Sequence, residues 1–277
     1  MTVTHRYTYT NNRQLWRLLL SDTNKLIVED RDTEQKQVYF NCLDAATGKD
    51  IFRNYQLKET FWVGIEVIYK DIIYFHKFVK PDMPEHKHVI ALDIKTQQVL
   101  WENDRYSFLF IYDDKVCMFR SEFNGKSYFA FDYLTGELVE ELGNDPMEID
   151  ILQRNSQSAD QYKDYLFPDR FHDGVALDKA AKSIIHSYSD GFEIAGSLEY
   201  AIYQELLMFN YYTKISKGNL INRFIAYDLH KNKKVFEHIL NSEAKAFVPD
   251  SFFMKDNLVF ILKEKTNLLV YSIEQEQ

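Results

Sequence analysis

Three of the histidines, His76, His86 and His88, lie close together in the sequence. In an extended strand His86 and His88 would project from one side, because successive side chains alternate between the two faces. Two adjacent imidazoles supply half of a zinc site. The spacing fixes no third ligand, since His76 can face elsewhere. A solvated loop is therefore the favoured interpretation, and no metal site is predicted.

The stretch PDRFHDG offers a different chemistry through Arg170, His172 and Asp173. Side chains of these types act as acid and base when they meet in a protected loop. The alternative is a polar turn in which Asp173 and Gly174 make the bend. The turn is the favoured interpretation, so no catalytic residue is predicted.

Two further groups of aromatic or charged side chains lie at predicted strand ends. Trp62 follows Phe61 and serves either as an aromatic platform for a ligand or as packing between repeats. The run EDRD begins at Glu29, and alternation places Glu29 and Arg31 on one side of a strand. A solvated edge or a structural ion pair is favoured over a site.

The sequence lacks the motifs that most often mark an enzyme. It has no glycine-rich phosphate loop, paired-cysteine zinc spacing, nucleophile elbow or His-Glu-x-x-His motif. Cys42 and Cys117 lie in apolar runs and are expected to be buried free thiols. No cofactor is predicted, and an enzyme is the less favoured class.

A repeated sequence unit sets the positions of these candidate residues in the fold. An apolar run ends in an aspartate at intervals of about 45 residues, a period typical of four-stranded propeller blades. The copies end at Asp44, Asp93, Asp132, Asp178 and Asp228, with Ser272 in a weaker sixth copy. A polar turn and an apolar strand precede each copy, starting near Leu26, Ile72, Val116, Tyr165, Leu206 and Leu258.

Each unit therefore contains four strands, a to d, with the aspartate turn between c and d. The pattern predicts an all-β chain in which residues 1–277 form a single β-propeller of six four-stranded blades. Residues 5–10 (HRYTYT) are expected to supply strand d of the last blade and so close the ring. The alternatives are seven blades, or five blades with an insertion at residues 143–190.

Three of the units, LDAATGKDIF, LDIKTQQVLW and FDYLTGELVE, resemble the repeats of PQQ-like, quinoprotein-type propellers. In that family a strand ends in Leu-Asp, passes through a Thr-Gly turn and closes on an apolar residue and Trp. Gly48 and Gly136 keep the turn, and Trp101 keeps the Trp. The chain also resembles uncharacterised bacterial propeller-like proteins. The resemblance implies a fold but no PQQ site, because the sequence has no adjacent cysteines.

In a propeller the b–c and d–a loops share one face, and here they are the long ones, at residues 79–87, 143–161 and 213–222. Variable loops on a rigid scaffold are where binding usually resides. The predicted binding residues on this face are Trp62, Asp82, His86, His88, Arg170, His172, Asp173, Lys214 and Lys217.

Net charge and hydropathy limit the classes of partner that we expect for the chain. A net charge of -9 argues against nucleic acid, which needs clustered Lys and Arg. No apolar run reaches the ~20 residues of a membrane span, and the N-terminus has no signal-peptide core. We therefore expect a cytoplasmic, non-enzymatic module with a protein partner. An enzyme or small-molecule binder with its site at the channel mouth is the alternative, and the oligomeric state stays open.

Overall fold

The computed structural model describes residues 1–80, 83–156, 162, 164–215, 218–248 and 251–275, with the backbone alone at residues 80, 83 and 84. The chain divides into two compact units. The first unit is Gln14–Lys163, and the second combines Met1–Arg13 with Asp164–Gln277. Strands dominate the described residues, so the predicted all-β class is confirmed.

The first unit contains, in its described part, three antiparallel sheets whose four strands are hydrogen-bonded in chain order. The first sheet consists of β2 (Gln14–Leu20), β3 (Lys25–Asp32), β4 (Gln37–Asp44) and β5 (Asp50–Tyr55). The second consists of β6 (Val63–Tyr69), β7 (Ile72–Lys80), β8 (Met83–Asp93) and β9 (Val99–Asn103). The third consists of β10 (Ser107–Tyr112), β11 (Lys115–Glu122), β12 (Gly125–Asp132) and β13 (Leu138–Gly143). Helix α1 (Pro146–Asn155) follows.

The second unit contains two antiparallel sheets of five strands among its described residues. The fourth sheet consists of β15 (Asp169–Phe171), β16 (Ile194–Tyr203), β17 (Leu206–Lys214), β18 (Leu220–Asp228) and β19 (Lys233–Ala244). The fifth has the order β1 (Thr2–Thr10), β22 (Asn267–Glu274), β21 (Leu258–Lys263), β20 (Phe252–Lys255) and β14 (Tyr165–Leu166). Helix α2 is Lys179–Ser189.

The core of each unit lies between neighbouring sheets. Phe40 of the first sheet meets Phe75 of the second edge to face, with ring centroids 4.7 Å apart, within one buried cluster. A similar cluster joins the second and third sheets. In the second unit Phe224 and Phe252 join the fourth and fifth sheets at 5.0 Å. Each fully buried Phe contributes roughly 1.5–3 kcal/mol, so these contacts fix how neighbouring sheets pack.

The aspartate turns are closed by short-range hydrogen bonds. The Asp44 carboxylate accepts from the Thr47 backbone N–H at 2.8 Å and from the Thr47 hydroxyl at 2.6 Å. Such bonds replace the ladder where the chain reverses. The carboxylates that accept backbone N–H groups in the same way belong to Asp93, Asp132 and Asp228.

Trp101 connects the second sheet to the turn of the third. Its indole N–H donates to the Tyr133 carbonyl oxygen at 3.2 Å. Gly136 has a φ of +70°, and a Cβ there would lie 2.5 Å from two atoms of the Trp101 ring. Gly136 is therefore required both by the backbone conformation and by the close approach of Trp101.

Substituting Gly136→Ala is expected to lower the free energy of unfolding by about 2–3 kcal/mol, because Ala is strained at positive φ and displaces Trp101. Gly143 is the matched control, since its φ is +83° and a Cβ added there would meet no heavy atom within 4 Å. Gly143→Ala should show the backbone cost alone, about 1–2 kcal/mol. Chemical denaturation of both variants measures the difference, and equal losses would show that Trp101 packing contributes nothing.

The fourth predicted repeat is wrong. Asp178 does not end a strand but caps α2, and its carboxylate accepts from the Ala180 backbone N–H at 2.7 Å. Ala181 and Ile185, four residues apart, form the buried side of that helix. The described part of residues 143–190 contains two helices and two short strands. The described residues therefore form five sheets, whereas the pattern predicts six four-stranded blades.

The predicted long loops are shorter than expected. Strand β7 runs to Lys80 and β8 starts at Met83, so most of residues 79–87 is strand. Much of residues 143–161 is helix α1, which Asp145 caps by accepting from the Met147 backbone N–H at 2.8 Å. In residues 213–222, β17 ends at Lys214 and β18 starts at Leu220.

The predicted pairing of the N-terminal strand is confirmed. Strand β1 is antiparallel to β22, with Thr2 opposite Glu274 and Thr10 opposite Asn267. It supplies the strand that follows β22 in the repeat, and Tyr9 is buried. Cys42 and Cys117 are buried free thiols, as predicted, and burial raises the pKa of each to about 12.

Candidate functional site

Buried charge in the described part of the first unit concentrates at one end of the first two sheets. Glu29, Asp30 and Arg31 are buried near the end of β3, and His76 is buried in β7. Gly64 lies opposite His76 in the strand register. A buried charge is costly unless a partner satisfies it, so the partners of these side chains define the site.

Glu29 and Arg31 form the buried ion pair that alternation on β3 allows. The Glu29 Oε1 atom lies 2.7 Å from Arg31 Nε and 2.6 Å from Arg31 Nη2. The guanidinium also donates to the carbonyl oxygens of Phe61 at 3.1 Å and Val63 at 2.8 Å. Arg31 thus ties the first sheet to the start of the second.

Two aromatic rings flank the Arg31 guanidinium. Its Cζ atom lies 5.1 Å from the Trp16 ring centroid and 5.4 Å from that of Phe61. Both distances allow cation–π attraction. Trp16 is 56% exposed, so it covers the ion pair and presents an aromatic surface to solvent.

Burial is the largest influence on the Glu29 carboxyl and raises its pKa. The charge of Arg31 and its hydrogen bond act in the opposite direction, as does Arg17. Burial prevails, and the pKa of Glu29 lies above its ordinary value. Glu29 therefore depends on Arg31 to stay ionised without a large loss of stability.

Glu66, His76 and His86 form a second cluster beside the first. Glu66 Oε1 lies 2.8 Å from His86 Nδ1 and 3.1 Å from His76 Nδ1. The two imidazoles stack with centroids 3.5 Å apart and an angle of 7° between their planes. The strand ladder is irregular between Ile65 and Val67, and such bulges redirect side chains, here that of Glu66.

His76 is enclosed on several sides. Only 4% of the residue is exposed, and neither ring nitrogen has a hydrogen-bond partner of acceptable geometry, despite the short distance to Glu66. A Cβ on Gly64 would lie 3.0 Å from the His76 ring, so glycine makes room for it. Phe78 meets His76 and His86 edge-on, at 5.0 and 5.5 Å.

The environment sets the charge of this cluster. Burial lowers the pKa of His76, although the nearby Glu66 carboxylate opposes the shift. Burial alone would raise the pKa of Glu66, but the two neighbouring histidines outweigh burial, and that pKa is lowered. The cluster thus favours a neutral His76 beside a carboxylate.

Of the predicted binding residues, Trp62 and His86 come together in the first unit. The Trp62 ring packs edge-on against Phe78 at 6.3 Å, and Phe78 contacts His86. His88 does not share a face with His86, contrary to the alternation argument. The β7–β8 register shifts between His76 and Lys77, and His88 has a φ of +59°. Its Nε2 atom instead lies 3.2 Å from Glu102.

Other predicted residues belong to the second unit or lie outside the described chain. Arg170, His172 and Asp173 are exposed and do not assemble into an acid–base group. Asp173 instead lies 3.5 Å from His186. Lys214 forms an exposed ion pair with Glu193. Asp82 and Lys217 fall outside the described residues.

Sequence reasoning missed Glu66 and Gly64 and did not join His76 to His86. No spacing rule links a bulged residue of one strand to a histidine two strands away. The irregular apolar alternation around Glu66 (VGIEVIY) was the available signal.

A second potential ligand group, Glu205, Asp228 and His230, lies at the aspartate-turn end of the fourth sheet. Glu205 and His230 are exposed. The Asp228 carboxylate already accepts from the Lys231 backbone N–H at 2.8 Å. This group is therefore explained by turn structure.

Comparisons with known proteins add a family match and a structural similarity. The model of a protein family described as a domain of unknown function (DUF4905) matches residues 20–101, which include both buried clusters. No curated protein matches the chain. The β-propeller domain of the Trilobed protease from Pyrococcus furiosus is similar at 10% identity and a TM-score of 0.33, over 96% of this chain and 70% of that one. Neither described helix is long and apolar enough to cross a membrane.

Proposed function

We propose that this chain is a non-enzymatic interaction module that binds a protein partner at the loop ends of its sheets. The observation that carries the proposal is the exposure of large aromatic side chains opposite the aspartate turns of the first unit. Phe123 is fully exposed, and Trp16 is more than half exposed above Arg31. Trp and Arg dominate the binding energy of protein interfaces.

The strands around Phe123 hold its backbone in a tight hairpin. Glu122 of β11 pairs with Gly125 of β12, so Phe123 and Asn124 form a two-residue hairpin loop. Arg120 supports the hairpin by donating to Glu122 at 2.7 Å and by lying 5.4 Å from the Phe129 ring centroid. A backbone held in this way loses little conformational entropy on binding.

The proposed scaffold is a single β-propeller over residues 1–277, with five blades and an insertion within residues 143–190. The four-stranded repeats and the placement of β1 in the last sheet support this arrangement. The quinoprotein-type resemblance concerns the scaffold alone. We also propose a cytoplasmic location with neither nucleic acid nor membrane as a partner, in keeping with the net charge of -9.

Cross-linking capture with purified chain tests the binding surface. The double variant Trp16→Ala with Phe123→Ala should lose the partners that the parent chain enriches, by about tenfold or more. Leu134→Ala is the matched control, because Leu134 is an exposed apolar residue in an aspartate turn at the opposite end of the third sheet. Retention of every partner by the double variant, or loss in the control alone, would contradict the proposal.

A small-molecule binder or enzyme with its site at the channel mouth is the second candidate function. The partly buried cluster of Glu66, His76 and His86 favours it, because converging carboxylate and imidazole groups are typical of ligand sites. A thermal-shift screen tests it, since a ligand of the folded chain raises the unfolding midpoint. Hits whose shift persists in Glu66→Gln would place the ligand elsewhere.

A further inference from the structure

We propose that Glu66, His76 and His86 form a binding site for a divalent transition-metal cation of the Zn²⁺ class. One donor atom from each side chain lies within 4.8 Å of the donor atoms of the other two. Two imidazoles and one carboxylate are a recurrent protein ligand set for zinc, in which water or a substrate takes the fourth position.

The distances around Glu66 are close to those of a coordination shell. Ligand atoms of a tetrahedral zinc site lie about 3.3 Å apart, given metal–ligand bonds of about 2.0–2.1 Å. Glu66 Oε1 lies 2.8 and 3.1 Å from the two Nδ1 atoms. The imidazoles are nearly parallel, so His86 must turn for both lone pairs to converge. His86 can do so because its side chain is 40% exposed.

The unsatisfied nitrogens of His76 are an independent reason to expect a ligand. Its ring is buried, and neither nitrogen has a hydrogen-bond partner of acceptable geometry. Leaving such a group unpaired costs about 1–3 kcal/mol. A bound cation would satisfy one nitrogen. Gly64 leaves space for the ring, and Phe78 shields it.

The donor set selects the class of cation. Imidazole suits zinc, copper and nickel, whereas Ca²⁺ requires six to eight oxygen ligands and Mg²⁺ also prefers oxygen. Arg17 opposes a cation electrostatically at His76, but its guanidinium is bound to the Ile65 carbonyl oxygen. The Glu66 carboxylate between the imidazoles counteracts that repulsion.

The experiment uses the purified full chain, stripped with a chelator and titrated with Zn²⁺ in a calorimeter. We expect one Zn²⁺ per chain, and we expect Co²⁺ at the same site to give a visible absorption band. Glu66→Gln and His86→Ala should each weaken Zn²⁺ binding by roughly 100-fold or more, since even indirect partners of a ligand contribute 10–100-fold. Circular dichroism of the stripped variants checks folding. Glu66→Gln preserves side-chain size and decides the test if His86→Ala is unfolded.

Two histidine variants serve as controls. His88→Ala removes the neighbouring imidazole that contacts Glu102, and His230→Ala disrupts the ligand group in the fourth sheet. Both should bind Zn²⁺ like the parent chain. The proposal is overturned if the parent binds no Zn²⁺ at about 1 mM, if folded Glu66→Gln retains the parent affinity, or if only His230→Ala loses binding. None of these outcomes bears on the capture of a protein partner.

Discussion

Replacing Arg31 with methionine is expected to lower the free energy of unfolding by about 3–5 kcal/mol, the typical cost of breaking a buried ion pair from one side. Glu29 would remain buried without its counter-charge. The carbonyl oxygens of Phe61 and Val63 would also lose their donors. Urea denaturation at neutral pH measures the loss.

The loss in Arg31→Met should shrink as the pH falls. Burial holds the pKa of Glu29 above its ordinary value of 4.5 even beside Arg31, and removal of the positive charge raises that pKa further. The folded variant then binds a proton more tightly than the unfolded chain, so acidification stabilises it. As the pH falls from neutral towards the ordinary pKa of a glutamate, Arg31→Met should therefore recover stability relative to the parent chain.

Arg120→Met is the control for Arg31→Met. Arg120 also pairs with a glutamate two residues away, at 2.7 Å from Glu122, but both side chains are nearly half exposed. Exposed pairs contribute about 0–1 kcal/mol, so this variant should lose little. Similar losses in the two variants, or a loss in Arg31→Met that does not change with pH, would contradict the role assigned to the buried pair.

Deleting residues 1–10 is expected to destabilise the fifth sheet by at least about 3–5 kcal/mol, the usual cost of removing one large buried aromatic side chain. Tyr9 is 1% exposed, and β1 is paired with β22 from Thr2 to Thr10. The deletion would also leave β22 as an open edge that pairs with other chains. Denaturation and size-exclusion chromatography measure both effects.

A synthetic peptide of residues 1–10 provides the control for the deletion. If the loss comes from the missing strand, the peptide should bind along β22 and restore the unfolding midpoint. A peptide of the same composition in scrambled order should not, because the alternation that buries Tyr9 would be lost. An unchanged midpoint in the deletion variant would show that β1 contributes little to the sheet.

The parts of the fold that depend on local chemistry are predictable from the sequence. Asp44 and Asp132 close turns by bonding to backbone groups two to four residues away. The spacing of the repeats adds no structural information beyond these local bonds. Asp178 is an aspartate for which this local chemistry does not identify the structure. The same carboxylate chemistry caps a helix when buried apolar residues follow at a spacing of four, as Ala181 and Ile185 do.

The candidate site depends on contacts that no local pattern specifies. Glu66 and His88 both lie where the strand ladder is irregular, and an irregularity of one residue reverses the face of every side chain beyond it. Strand alternation therefore predicts that His86 and His88 lie on one face of the strand, whereas in the structure they do not share a face. Arg31 and Glu29 are predictable as a pair because they lie two positions apart on a regular strand.

The pairing of β1 with β22 also has a consequence for synthesis. At ribosomal rates β1 is synthesised roughly 15–55 s before its partner β22 is complete. During that interval β1 is an unpaired strand, a state that usually invites aggregation. Its sequence TVTHRYTYT is rich in Thr and carries His and Arg but no continuous apolar run. The composition of β1 thus suits it to remain solvated until β22 has been synthesised.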